Sequence, residues 1–305
     1  MSSYNNFCLY IQERMTRRNF SSCHFVYNKY YKALCDRLIY CLKNSYKISV
    51  INSEDRLEEV LKSQDDTLVI IFNEHYDEIY KQLKKHNDFF IKHWKRTLKI
   101  TGIGKHFSEV YAQSPAELSN YTDQIKNQCE AAQLITYHDD NDSYIEAHFT
   151  QKFTVIDGIN SIDLVPGEIA SYPDKISGYI NFNGTFLSLI PFSLKYGVIQ
   201  PNELIFNIKN NRIIDIKGTN TSLVNDLNIH FDKHPDNSAV DEFGIGTNKG
   251  VSNLYGTNSV FEERHHGLHL GLGGREKGSV HLDLLFLQGT IKADEKVLIS
   301  TVLNN

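Results

Sequence analysis

The sequence predicts two domains of different class: an α/β domain over residues 1–150 and a strand-rich α+β domain over residues 151–305. Three observations carry this. Helical and strand periodicities alternate through the first half, short strand-like runs dominate the second, and a polar stretch, Asp139-Asp140-Asn141-Asp142, separates the two patterns. With 305 residues, 41% of them hydrophobic, the chain can bury two cores.

Taken in order, the N-terminal stretch holds Arg14, Arg17 and Arg18 without the aromatic and glycine interleaving of a nucleic-acid platform, so a solvated helix face is expected. Residues 27–43 place apolar side chains at helical spacing, and residues 47–51 are a short β-branched run. Residues 55–62 are charged and helical, as are residues 76–85. Residues 67–72 are apolar on both faces, as a buried parallel strand must be. A strand over 98–103 ends at Gly102 and Gly104; the third glycine of a dinucleotide loop is missing, which excludes that reading. A helix is expected over 115–134. Asp139–Asp142 lacks the glycine and terminal glutamate of a calcium loop and reads as a hinge. Strands are then expected over 144–149, 153–156, 177–182, 204–208, 212–216, 268–272 and 279–287. Asn210-Asn211 separates two apolar runs as a tight hairpin turn, because asparagine tolerates positive φ.

Composition excludes several classes of partner. A net charge of −5 favours neither nucleic acid nor a membrane surface. The five cysteines, Cys8, Cys23, Cys35, Cys41 and Cys129, are odd in number and show no C-x-x-C spacing, so reduced structural thiols are expected. No apolar run reaches transmembrane length and the N-terminus lacks an apolar signal core, so a cytoplasmic protein is expected.

The residues that carry chemistry cluster near the C-terminus. Leu268, Leu270 and Leu272 alternate with His269, Gly271 and Gly273; Val280, Leu282 and Leu284 alternate with His281 and Asp283. On strands, the leucines form one face and the imidazoles and carboxylate the other. Gly274-Arg275-Glu276-Lys277-Gly278 is turn-like, which makes the two strands an antiparallel hairpin. Pairing His269 with either His281 or Asp283 satisfies the same-face parity of such a pair. Two imidazoles and one carboxylate then share a glycine-lined hollow, a donor set for Zn²⁺ or, as a two-histidine, one-carboxylate triad, for Fe(II).

Further motifs lie in a fixed order with this pair. They are Pro166-Gly167-Glu168 with Pro173 beyond it, Glu242-Phe243-Gly244-Ile245-Gly246-Thr247-Asn248, a glutamate before Gly267-Leu268-His269, and His281-x-Asp283. Together they resemble the thermophilic-aminopeptidase family (aminopeptidases T and S) over roughly residues 160–290, and residues 208–218 resemble that family's hairpin between the first two motifs. The resemblance implies two Zn, Co or Mn ions per chain held by Glu168, Glu242, His269, His281 and Asp283. It further implies hydrolysis of a small peptide or amide bearing a free amino group, a homodimer, and Glu263 as general acid/base, with Glu262 competing for that role. His265 and His266 form an imidazole pair beside the site and are assigned to substrate contact, with turn residues or an added ligand as alternatives.

The chain departs from the family pattern in three respects. It is short, His269 and His281 stand closer than usual, and Glu276 occupies the place of an expected tyrosine, for which Tyr172, Tyr179 or Tyr255 could substitute. The same architecture is similar to the 2,5-dihydroxypyridine dioxygenase branch, which implies one Fe(II) on His269, His281 and Asp283 and cleavage of a small ring substrate. A non-catalytic, peptide-binding accessory protein of a biosynthetic pathway is the third expectation.

Overall fold

The computed structural model describes residues 2–51, 66–73, 96–160, 164–190 and 192–301. It mixes helices and three sheets in an α+β fold, in two compact units. One unit comprises Met1–Leu118 and Ile156–Pro166; the other comprises Ser119–Val155 and Gly167–Asn305.

In the first unit, α1 (Ser3–Arg18), β1 (Ser22–Tyr27), α2 (Lys32–Leu42), β2 (Lys47–Ile51), β3 (Thr67–Asn73) and β4 (Thr97–Thr101) follow one another. The strands form a parallel sheet of order β2-β1-β3-β4. Leu68 through Phe72 on β3 are all buried, as expected of a strand covered on both faces. The expected helices over 55–62 and 76–85 lie outside the described residues. Strand β1, just before the predicted helix over 27–43, was not foreseen. Arg14 corrects the reading of a solvated basic face. It falls on the stripe of α1 that buries Phe7, Tyr10 and Ile11, and it donates to the Gly158 carbonyl at 3.5 Å. Arg17, by contrast, is exposed and pairs with Glu13.

The division between units falls within α3 (Pro115–Ala131), which starts with a capping box in which Ser114 and Glu117 satisfy each other's backbone N–H. The second unit continues through β5 (Ile135–His138), β6 (Tyr144–His148), β7 (Thr154–Ile156), β8 (Glu168–Ser171), β9 (Lys175–Asn181), β10 (Gly184–Ser188) and α4 (Phe192–Tyr196). It ends with β11 (Ile205–Lys209), β12 (Arg212–Lys217), α5 (Thr221–Lys233), β13 (Val240–Gly246), β14 (Gly267–Leu272), β15 (Leu282–Phe286), β16 (Thr290–Ala293) and β17 (Lys296–Ser300).

Seven strands order as β12-β11-β9-β6-β5-β16-β17 and six as β10-β15-β14-β13-β8-β7. Asn210 and Asn211 turn the β11–β12 hairpin with φ of 49° and 63°, as their sequence predicts. Asp139–Asp142 is a hairpin turn and not a hinge: Asp139 accepts the backbone N–H of Asn141 and Ser143, and β5 pairs antiparallel with β6. One core joins the two sheets, with Ile145, Ile180 and Phe206 of one sheet in a single cluster with Phe243, Leu270, Leu284 and Phe286 of the other. Among the described residues, no helix is long and apolar enough to cross a membrane.

Candidate metal centre

Strand pairing fixes which side chains share a face of the six-stranded sheet. Gly244 pairs with His269, Glu242 with Gly271, and Gly246 with Glu168 across β13. Gly271 in turn pairs with Asp283 across β15. Directly paired residues, and residues two apart on a strand, point to one side. Glu168, Glu242, His269 and Asp283 therefore occupy one face together with Gly244, Gly246, Gly267 and Gly271. The opposite face carries Ile169, Phe243, Ile245, Leu268, Leu270, Leu282 and Leu284, all in the core. Burying that apolar face fixes the register, because a one-residue slip would exchange the two sets of side chains.

The expected hairpin has a different register from either pairing considered for it. His269 opposes Leu285, and Asp283 opposes Gly271, so His269 and Asp283 are diagonal neighbours on the same face. His281 precedes β15, and its Nδ1 lies 3.2 Å from the Gly273 carbonyl. That contact orients the ring so that Nε2 sits 2.8 Å from Asp283 Oδ1.

The glycines make the hollow. A Cβ at Gly244 would overlap His269 Nε2, and one at Gly271 would lie 2.7 Å from His281 Cε1 and 2.8 Å from the Glu242 Cβ. Into this space five side chains bring donor atoms in two groups. Atoms of Glu168, Glu242 and His269 lie within 4.8 Å of one another, as do atoms of Glu242, His281 and Asp283. Glu242 belongs to both groups. Glu168, His269 and Asp283 are almost wholly buried.

The pattern of unmet polar atoms fits a cation. His269 Nε2 stands 3.3 Å from Glu168 Oε1 and 3.4 Å from Glu242 Oε1, yet it makes no hydrogen bond. Asp283 Oδ1 is likewise buried without one, its approach to His281 having the distance but not the direction of a hydrogen bond. Buried polar atoms are rarely left this way. A ring nitrogen aimed between two carboxylates is satisfied by an ion placed among them. Burial works against the charged form of Glu242, but His269 and His281 outweigh it and hold the carboxyl below its ordinary value. Burial also disfavours a charged His281, but Asp283, the Gly273 carbonyl and Glu242 together raise it to about 9.

The neighbouring acids separate cleanly. Glu262 is fully buried and accepts backbone N–H groups of Tyr255, Gly256, Thr257 and Ser259 as well as the Thr257 hydroxyl, so it caps a loop. Glu263 instead meets Arg264 Nη1 at 2.8 Å. The same Nη1 also contacts Glu168 Oε2, which brings Glu263 beside the ligand groups. The sequence reading missed Arg264. Its only signal was a cation directly after two acids, a pattern that surface helices share.

His265 is buried, and burial, with help from the charge of His266, lowers its imidazole to about 4 despite a contact with the Ser252 backbone. His266 lies 2.8 Å from the Tyr121 hydroxyl; burial and the Lys249 charge bring it to about 4. Neither belongs to the two ligand groups. Tyr172, Tyr179 and Tyr255 are each partly exposed. Of these, Tyr255 gives its backbone N–H to Glu262, and Arg275 lies over the Tyr172 ring.

No protein-family model and no curated protein matches the chain. Solved structures do. The 2,5-dihydroxypyridine dioxygenase from Pseudomonas putida KT2440 superposes with a TM-score of 0.64 at 11% identity, covering 98% of this chain and 96% of that one. The wild-type aminopeptidase AmpT from Thermus thermophilus does so with a TM-score of 0.57 at 8% identity, covering 93% and 94%. At such identity the likeness establishes a shared fold.

Proposed function

We propose that this protein is a metal-dependent enzyme of aminopeptidase-like type, which hydrolyses a peptide or amide bearing a free amino group at two adjoining cation positions. The observation that carries the reading is Glu242, the one carboxylate common to both donor groups. Glu168 and His269 complete one position; His281 and Asp283 complete the other. Both structural neighbours are enzymes, and one is an aminopeptidase. Bound divalent ions would polarise the scissile carbonyl and lower the pKa of the attacking water. Glu263, oriented by Arg264, would take a proton from that water at its carboxylate and return it to the leaving amine. The glycines of that face leave room against the sheet for the imidazoles and for Glu242 themselves.

A second reading has its own support. Arg264 engages Glu168 and so withdraws one acid from the cluster. A single Fe(II) would then draw His269 together with His281 and Asp283, which stand in separate donor groups, and would take a small ring substrate with O₂ in place of a peptide. The dioxygenase neighbour is in keeping with it.

Metal analysis of protein purified without added metal separates the two. The hydrolase reading expects about two zinc, cobalt or manganese ions per chain; about one iron with oxygen-dependent turnover supports the dioxygenase instead. His281→Ala should lose metal while keeping its far-ultraviolet dichroism. Unchanged metal content in that variant would refute the centre.

A further inference from the structure

We propose that Arg264 makes the two cation positions unequal, so that the Glu242–His281–Asp283 end fills first and the Glu168–Glu242–His269 end binds a second cation weakly. The inference rests on the metal-centre reading above.

Arg264 is buried, and its guanidinium keeps its charge at any pH a folded protein meets. Its Nη1 contacts Glu168 Oε2, so one oxygen of that ligand is already committed to a cation of the protein's own. Only Oε1 remains directed at His269 Nε2, 3.3 Å away. A metal ion entering there meets a half-used carboxylate and a fixed positive charge, in an interior where charges are weakly screened.

The other end has no such competitor. Among the described residues, Glu242 and Asp283 form ion pairs with His269 and His281 and with no lysine or arginine. An imidazole can surrender a ring proton to an incoming metal ion, which the guanidinium of Arg264 cannot do. Glu263 modulates the asymmetry, because it draws on the same Nη1 that serves Glu168. Removing its charge concentrates Arg264 on Glu168; removing Arg264 releases Glu168 entirely.

The test is a Mn²⁺ titration of the metal-free full-length chain, followed by calorimetry and by electron paramagnetic resonance, which distinguishes isolated from coupled Mn²⁺. The wild type should bind in two steps whose dissociation constants differ by about tenfold or more. Arg264→Met should tighten the weaker step by about tenfold, Arg264→Lys should keep the separation, and Glu263→Gln should widen it. A wild type that takes up a single Mn²⁺ even at saturation would overturn the weak second position.

Arg264→Met leaves a buried carboxylate unpaired and can fail to fold; Glu263→Gln keeps the buried pair and decides the question without it. Two equal steps in the wild type, or a separation unmoved in Glu263→Gln, would overturn the role of Arg264. If Mn²⁺, Zn²⁺ and Fe²⁺ all fail to bind any variant, the metal-centre reading itself falls.

Discussion

Glu262 and Glu263 are adjacent in sequence and differ completely in employment. The first spends its carboxylate on four backbone N–H groups and a hydroxyl; the second reaches a guanidinium at the edge of the ligand cluster. Glu262→Ala should therefore lower the unfolding free energy by about 2–4 kcal/mol, since it orphans several buried donors at once. Glu263→Gln should cost clearly less, because the glutamine keeps an oxygen for the Arg264 guanidinium and Glu168 still balances that charge. Urea denaturation of both variants checks the contrast, and equal losses would mean that the two roles are misassigned.

Among the elements, the donor cluster is assembled because four strands, β8, β13, β14 and β15, hold one register. The β13–β14–β15 pairing alternates glycine with donor residues on one face and packs leucine, isoleucine and phenylalanine on the other. Gly244 shows how little tolerance this leaves. Its Cα approaches the His269 ring so closely that a methyl group would overlap Nε2. Gly244→Ala should weaken Mn²⁺ binding at least about tenfold and destabilise the fold by about 1–3 kcal/mol, as overpacking generally does. Calorimetry with a thermal melt measures both; a variant with native Mn²⁺ affinity would show that the ring has room to move.

For the whole molecule, the buried imidazoles of the second unit set a pH dependence. His265 and His266 have folded-state values of about 4, below their ordinary 6.5, mainly through burial. Between those values the unfolded chain binds more protons than the folded one, so stability rises with pH across that window and is lost as pH falls through it. The urea midpoint should decline from about pH 6.5 to pH 4. His265→Asn, which cannot take up that proton, should show a shallower decline. Parallel curves for the two proteins would exclude His265 as a source of the slope.

Sequence alone determined the parts whose physics is local. Alternation of leucine with histidine, glycine and aspartate fixed the strands and their faces, Asn210-Asn211 fixed a turn through its tolerance of positive φ, and the apolar run of β3 announced a strand covered on both sides. Tertiary structure decided the rest. Arg14 and Arg264 look like surface cations until packing buries them, Asp139–Asp142 looks like a hinge until hairpin pairing closes it, and nothing local distinguishes Glu262 from Glu263. The meeting of Glu168 and Glu242 with the imidazoles was carried by resemblance and took on geometry only through strand order. Side-chain direction along a strand follows from backbone stereochemistry residue by residue. The partner of a charge depends on which distant segment the shared core brings alongside it, and that contact has no local trace in the chain.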